Sequence, residues 1–150
     1  MKLTLAAITL LLQVAVGFSQ SAGTGTVTVA GTTHTFNVTV CSFHGEQPFP
    51  VKMIGGRATD ADGKLLFNVE LMAQEAADTA EHSAQVVFID RQQFIAQYSK
   101  NSGTWAQNGK PSAGGLIRTQ GLKTIAEGVF QTGGDDEERV SIEVNCIHQE

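Results

Sequence analysis

The residues best suited to chemistry are two short clusters at opposite ends of the chain, Cys41-Ser42-Phe43-His44 and Cys146-Ile147-His148. If the two cysteines meet, His44 and His148 come close to the junction. Reduced, the four side chains offer two thiolates and two imidazoles, a ligand set that zinc accepts in tetrahedral sites. Oxidised, the sulfurs are lost as ligands, and the two histidines with the terminal carboxylate of Glu150 are left as a weak copper or zinc site. An even pair of cysteines in an exported chain reads first as a disulfide. The expectation is therefore a Cys41–Cys146 bridge, with His44 and His148 as polar residues at strand ends and no cofactor. Closing a loop on the order of 100 residues stabilises a chain by roughly 4.7 kcal/mol in the chain-entropy account.

The remaining motifs carry less. Asp60-Ala61-Asp62-Gly63 opens like a calcium loop, but the later acidic positions and the closing Glu of that motif are absent, so it reads as a solvated turn. The acidic run at 135–138 reads as a charged loop tip that keeps an edge soluble. There is no Gly-x-Ser-x-Gly elbow, and neither Gly23 with Gly25 nor Gly114-Gly115 is followed by the Lys-Ser or Lys-Thr of a phosphate loop. His34 shares the parity of Phe36 and is expected near the inner face as a satisfied core histidine. No enzyme is expected. Phe88, Phe94, Tyr98 and Trp105 are expected mainly in the core, with Trp105 and Tyr98 as candidate contact anchors for a partner. Asn37-Val38-Thr39 matches a glycosylation sequon and is expected to point outward.

These residues have to be held by a small exported domain. Met1-Lys2 gives a short positive start, 3–16 is almost wholly apolar, and Gly17 and Ser19 are small residues before a cut ahead of Gln20. Residues 1–19 are read as a signal peptide and 20–150 as one domain. The run is too short for a spanning helix, so no stable membrane span is expected after cleavage. The chain has 150 residues and a net charge of −5, an acidic balance that disfavours nucleic acid.

Along the domain, 24–29 and 35–40 alternate around Ala30-Gly31 and read as a hairpin with Phe36, Val38 and Val40 inward. Pro48 and Pro50 make 44–50 a loop, and 51–54 a short strand stopped by Gly55-Gly56. Leu65, Phe67, Val69 and Leu71 form the buried face of a strand after the Asp62-Gly63 turn. Ala, Glu, Gln and His across 74–84 raise helix propensity and suggest a short helix or helical loop. Residues 86–89 read as a buried strand, and 91–99 fits a helix or a strand. Asn108-Gly109 is a hairpin turn with Trp105 on one arm and Leu116-Ile117 opening the other. Leu122, Thr124, Ala126, Gly128 and Phe130 share one face, Gly133-Gly134 turns the chain, and 139–147 is a last strand expected to lie beside the early strand that also ends in a cysteine. The fold class expected is mainly β: an antiparallel sandwich or half-barrel with one or two short helices and one disulfide.

The elements Val38-Thr39-Val40-Cys41, Ala126-Glu127-Gly128-Val129-Phe130 and Ile142-Glu143-Val144-Asn145-Cys146 resemble the mycobacterial 19-kilodalton lipoprotein antigen family. The resemblance spans most of the mature chain and implies a small cell-envelope antigen with a paired disulfide and no established chemistry. That family is held to the envelope through a lipidated cysteine, which this sequence lacks.

The function expected is that of a noncatalytic secreted or cell-envelope domain, periplasmic or extracellular, acting by contact with an envelope or extracellular protein. The alternatives are a carrier of a small apolar ligand or lipid, built on Phe67, Val69, Phe88, Phe94 and Phe130, and a weak metal-binding protein.

Overall fold

The computed structural model describes residues 21–44, 51–90 and 92–147; of His44 only the backbone is described. These residues form eleven strands and no helix: β1 (Gly23–Val29), β2 (Thr32–His44), β3 (Val51–Thr59), β4 (Leu65–Glu75), β5 (Ala80–Phe88), β6 (Gln93–Asn101), β7 (Thr104–Gln107), β8 (Lys110–Pro111), β9 (Ile117–Gln120), β10 (Lys123–Thr132) and β11 (Glu137–Cys146). Each long strand pairs antiparallel with the next, β1 pairs with β11, and Phe94 and Ile95 of β6 pair with Thr132 and Gln131 of β10. That last contact closes eight strands, β1 to β6 with β10 and β11, into a barrel. Closure joins β6 to β10, which a half-barrel or sandwich would leave as open edges, and the short strands β8 and β9 stand at the two ends of the strand order.

The alternation read from the sequence sets which side chains fill the barrel. Val27, Phe36, Val38, Phe67, Val69, Leu71, Val86, Val140, Ile142 and Val144 are all buried. Val40 departs from the pattern and is 48% exposed, because the β2–β3 register shifts between Val38 and Val40 and turns Cys41 inward in its place. Gly55-Gly56 does not stop β3. A Cβ on Gly56 would lie 2.5 Å from the Phe36 ring, so the glycine lets that ring lie against the neighbouring strand while β3 runs on to Thr59.

Other expectations are corrected. The helix expected at 74–84 is the end of β4, a turn, and the start of β5, with Ala73 paired to His82 and Leu71 to Ala84. Alanine serves there because an eight-stranded barrel has room for few large inward side chains, and a complete cross-strand ladder overrides helix propensity. The ambiguous stretch at 91–99 is strand from Gln93 onward. Asn108-Gly109 does form the tight turn, with φ of +48° and +76°, but its second arm is β8. Leu116-Ile117 instead leads into β9, which pairs with β10. The two strands that carry the cysteines, expected side by side, are not adjacent: β1 lies between β2 and β11, and the Cys41–Cys146 disulfide links them across it, with Cα atoms 6.3 Å apart.

Candidate functional site

The barrel has two chemically different ends. At one, Phe67 packs against Phe88 at 5.0 Å between ring centroids, Phe88 meets Phe94 edge-on at 6.1 Å, and His34 stands edge-on to both Phe67 and Phe88. His34 is thus an inner-face ring within an aromatic cluster, as its parity implies. Val69 and Phe130 are buried in the same lumen. Of the five residues considered for an apolar carrier, Phe67, Val69, Phe94 and Phe130 thus belong to one buried core cluster, with Phe88 partly buried against it.

The other end is polar. The wall between β6 and β10 splits there: the later half of β6 pairs with β7, the first half of β10 pairs with β9, and the connecting segment folds across the mouth. Lys52 on β3 reaches over to donate to the Thr119 hydroxyl on β9, although β3 stands diametrically opposite β10 in the ring of eight. His82 on β5 accepts the Ile117 N–H at Nδ1, 3.0 Å away and buried. Its proton therefore sits on Nε2, which donates to Glu75 at 2.7 Å. Trp105 stacks on His82 with centroids 4.7 Å apart. Gly115 lies beneath both rings, where a Cβ would meet Trp105 at 2.7 Å and His82 at 2.9 Å. Leu116 and Ile117 are buried under this arrangement and act as a plug.

Lys52 is only 9% exposed and its amine lies 4.2 Å from the centre of the Phe43 ring. Burial lowers its pKa from 10.5 to about 8, while the charge of Glu75 acts in the opposite direction. Thr124, the cross-strand partner of Thr119, is fully buried and its hydroxyl has no partner among the described residues. Both nitrogens of His82 are engaged in holding backbone and carboxylate, so the His82–Glu75 pair positions the plug and presents no free base to a substrate.

The candidate anchors lie at this end. Tyr98 points into the barrel, 6% exposed, and its hydroxyl accepts the Val129 N–H at 3.1 Å, so it offers no outward contact surface. Trp105 is half-buried with its ring committed to His82 and Gly115. The cysteines are joined, which removes their thiolates from any metal site; the His44 side chain, His148 and Glu150 lie outside the described residues. Among the described residues no group of three or more His, Cys, Asp or Glu could hold a metal. The Asp60 carboxylate accepts the N–H groups of Asp62 and Lys64 at 3.0 and 2.9 Å, as a turn and not as an open cation loop. Asn37 points outward, as the sequon requires.

What the sequence reading missed is on the outer wall. A groove of about 410 Å³ crosses β2 to β6, bordered by Val40, Met53, Met72 and Ile95, with Gly55 and Ser83 among its lining residues and Glu70 and Gln85 beside them. Met53 and Met72 are direct cross-strand partners, 48% and 42% exposed. The β2 bulge that displaces Val40 outward is what completes this apolar rim.

No protein-family model and no curated protein matches the chain. Among solved structures, a redesigned β-barrel is similar at 14% identity, covering 84% of this chain and 90% of that chain, with a TM-score of 0.41. No helix of the described residues is long and apolar enough to cross a membrane.

Proposed function

We propose that this chain is an exported, noncatalytic binding domain that works by surface contact with an envelope or extracellular protein, using the outer groove bordered by Val40, Met53, Met72 and Ile95. The observation that carries the reading is that apolar rim: large hydrophobic side chains gathered on the wall of a barrel whose interior is packed with its own residues. Exposed apolar clusters with a polar margin favour protein contact, and methionine adapts its shape to a partner at little cost. Glu70, beside the apolar floor, favours a partner segment that combines apolar side chains with a basic one. A secreted antigen-like role, as the family resemblance implies, agrees with this reading, and the disulfide suits an oxidising compartment.

The test is affinity capture from the host's exported fraction with the intact protein and with Met53→Glu/Met72→Glu. The proposal requires a protein recovered by the first and lost with the second while the circular dichroism of the two is the same. Equal recovery by both would remove the groove from the account, and an apolar small molecule copurifying with both would favour the carrier.

A further inference from the structure

A second surface, which adjoins the apolar groove but shares none of its lining residues, has a distinct chemistry. The register places Asn145, Thr24, Asn37, Arg57 and Asn68 as successive cross-strand partners on β11, β1, β2, β3 and β4. All five are exposed. At the usual strand spacing the row spans about 19 Å around the wall. A second line runs beside it, since Thr26 is the partner of Thr35 and both line the same hollow as Thr59.

Two hollows lie along this row. One, of about 540 Å³, is lined by Asn37, Thr39, Arg57, Thr59 and Asn68 among others, and the next, of about 400 Å³, by Thr24, Thr26, Thr35, Asn37, Thr59 and Asn145. Asn37 and Thr59 belong to both, so the two form one continuous trough. Among the described residues Arg57 is the only charged side chain lining either hollow, in a chain whose net charge is −5. Among the described residues no carboxylate pairs with it. Of the acids near the row, Glu143, the partner of Thr26, is bound to Lys123 at 2.8 Å, Asp60 accepts the N–H groups of its own turn, and Glu70, two residues beyond Asn68 on the same face, lines the apolar groove.

We infer that this trough is a binding site for a linear oligosaccharide that carries a carboxylate. Amide and hydroxyl side chains both donate and accept, which matches the vicinal hydroxyls of a sugar ring, and a row of them at regular spacing can meet successive rings. The guanidinium of Arg57 supplies a planar fork for one carboxylate, the arrangement in which arginine outperforms lysine. A peptide is the poorer occupant, because an extended chain docks along strands and the row runs across them.

The test titrates the folded, disulfide-bonded protein with tetragalacturonate, with maltotetraose as an uncharged saccharide and tetraglutamate as an acidic peptide, following backbone and Asn side-chain NH₂ resonances. Tetragalacturonate should shift Asn37, Asn68 and Asn145 saturably, and both other probes should bind at least tenfold more weakly. Arg57→Gln, an exposed substitution, should weaken tetragalacturonate about tenfold, in line with loss of one charge-assisted contact, and Met72→Ser in the apolar groove should leave it unchanged. Absence of saturable tetragalacturonate binding would overturn the inference, as would maltotetraose or tetraglutamate binding equally well, or an Arg57→Gln variant that binds as tightly as the parent. Because the protein-capture experiment perturbs only Met53 and Met72, either proposal can fail alone.

Discussion

Replacing Lys52 with Met tests the reasoning about the plugged mouth most severely. Lys52 is nearly buried and its folded-state pKa falls from 10.5 to about 8, chiefly by loss of hydration. Below pH 8 the amine is charged in both the folded and the unfolded chain, and the folded state bears the full desolvation cost. Between pH 8 and 10.5 the unfolded chain holds more protons, so stability rises with pH, and above 10.5 the cost is gone. The difference between 10.5 and 8 corresponds to a ceiling of about 3.4 kcal/mol. Solvent at the mouth screens part of it, and about 2 kcal/mol is a realistic expectation. Lys52→Met removes the titration and keeps most of the apolar stem, at the cost of the Thr119 hydrogen bond and the Phe43 ring contact. At neutral pH the variant should be at least as stable as the parent, as found when buried charges are replaced by apolar residues of similar volume. The assay is urea unfolding of both proteins at pH 7, 8, 9 and 10, and the difference between them isolates Lys52. The parent should gain on the variant by about 2 kcal/mol across that range. A difference that stays constant, or that moves against the parent as pH rises, refutes the placement of a desolvated amine at this mouth.

Three further outcomes follow from the same contacts. His82→Ala leaves the buried Ile117 N–H without an acceptor and removes the ring beneath Trp105, so it should cost about 2–4 kcal/mol and speed hydrogen exchange at Ile117, with Val69 in the barrel wall as the protected reference. Reduction of Cys41–Cys146, whose residues are 105 apart in sequence, should lower stability by about 4–5 kcal/mol, read from urea midpoints of the oxidised and reduced protein. Gly56→Ala forces a Cβ to 2.5 Å from the Phe36 ring and should destabilise by about 1–3 kcal/mol, whereas Gly134→Ala, which meets nothing within 4 Å, should lie within about 0.5 kcal/mol of the parent in thermal unfolding.

The strands were legible wherever β-branched and aromatic residues alternate, as in Leu65 to Leu71 and Val140 to Val144, because period-two burial is a local property. The disulfide was legible from the even cysteine count together with the expectation of export. Residues 74–84 misled because the barrel needs small inward residues there, and alanine carries a helical preference that only the neighbouring strands override. Val40 misled because a bulge reverses parity without any mark in the sequence. Barrel closure itself depends on two pairings between β6 and β10, some 36 residues apart in sequence, and no local pattern announces it. The polar mouth was illegible for the same reason: Lys52 shares the inward parity of Ile54, but its partner Thr119 lies 67 residues away and meets it only in the closed barrel. The polar row from Asn145 to Asn68 likewise exists only once five strands are in register.

The central claim is that this is an exported domain whose barrel is filled by its own side chains and which acts through its outer wall. Native mass spectrometry of the protein taken from its host's exported fraction tests it most directly. The account predicts a bare chain beginning near Gln20, lighter by two hydrogens for the Cys41–Cys146 bond. A lipid or other apolar molecule retained stoichiometrically would contradict it and make the barrel a carrier.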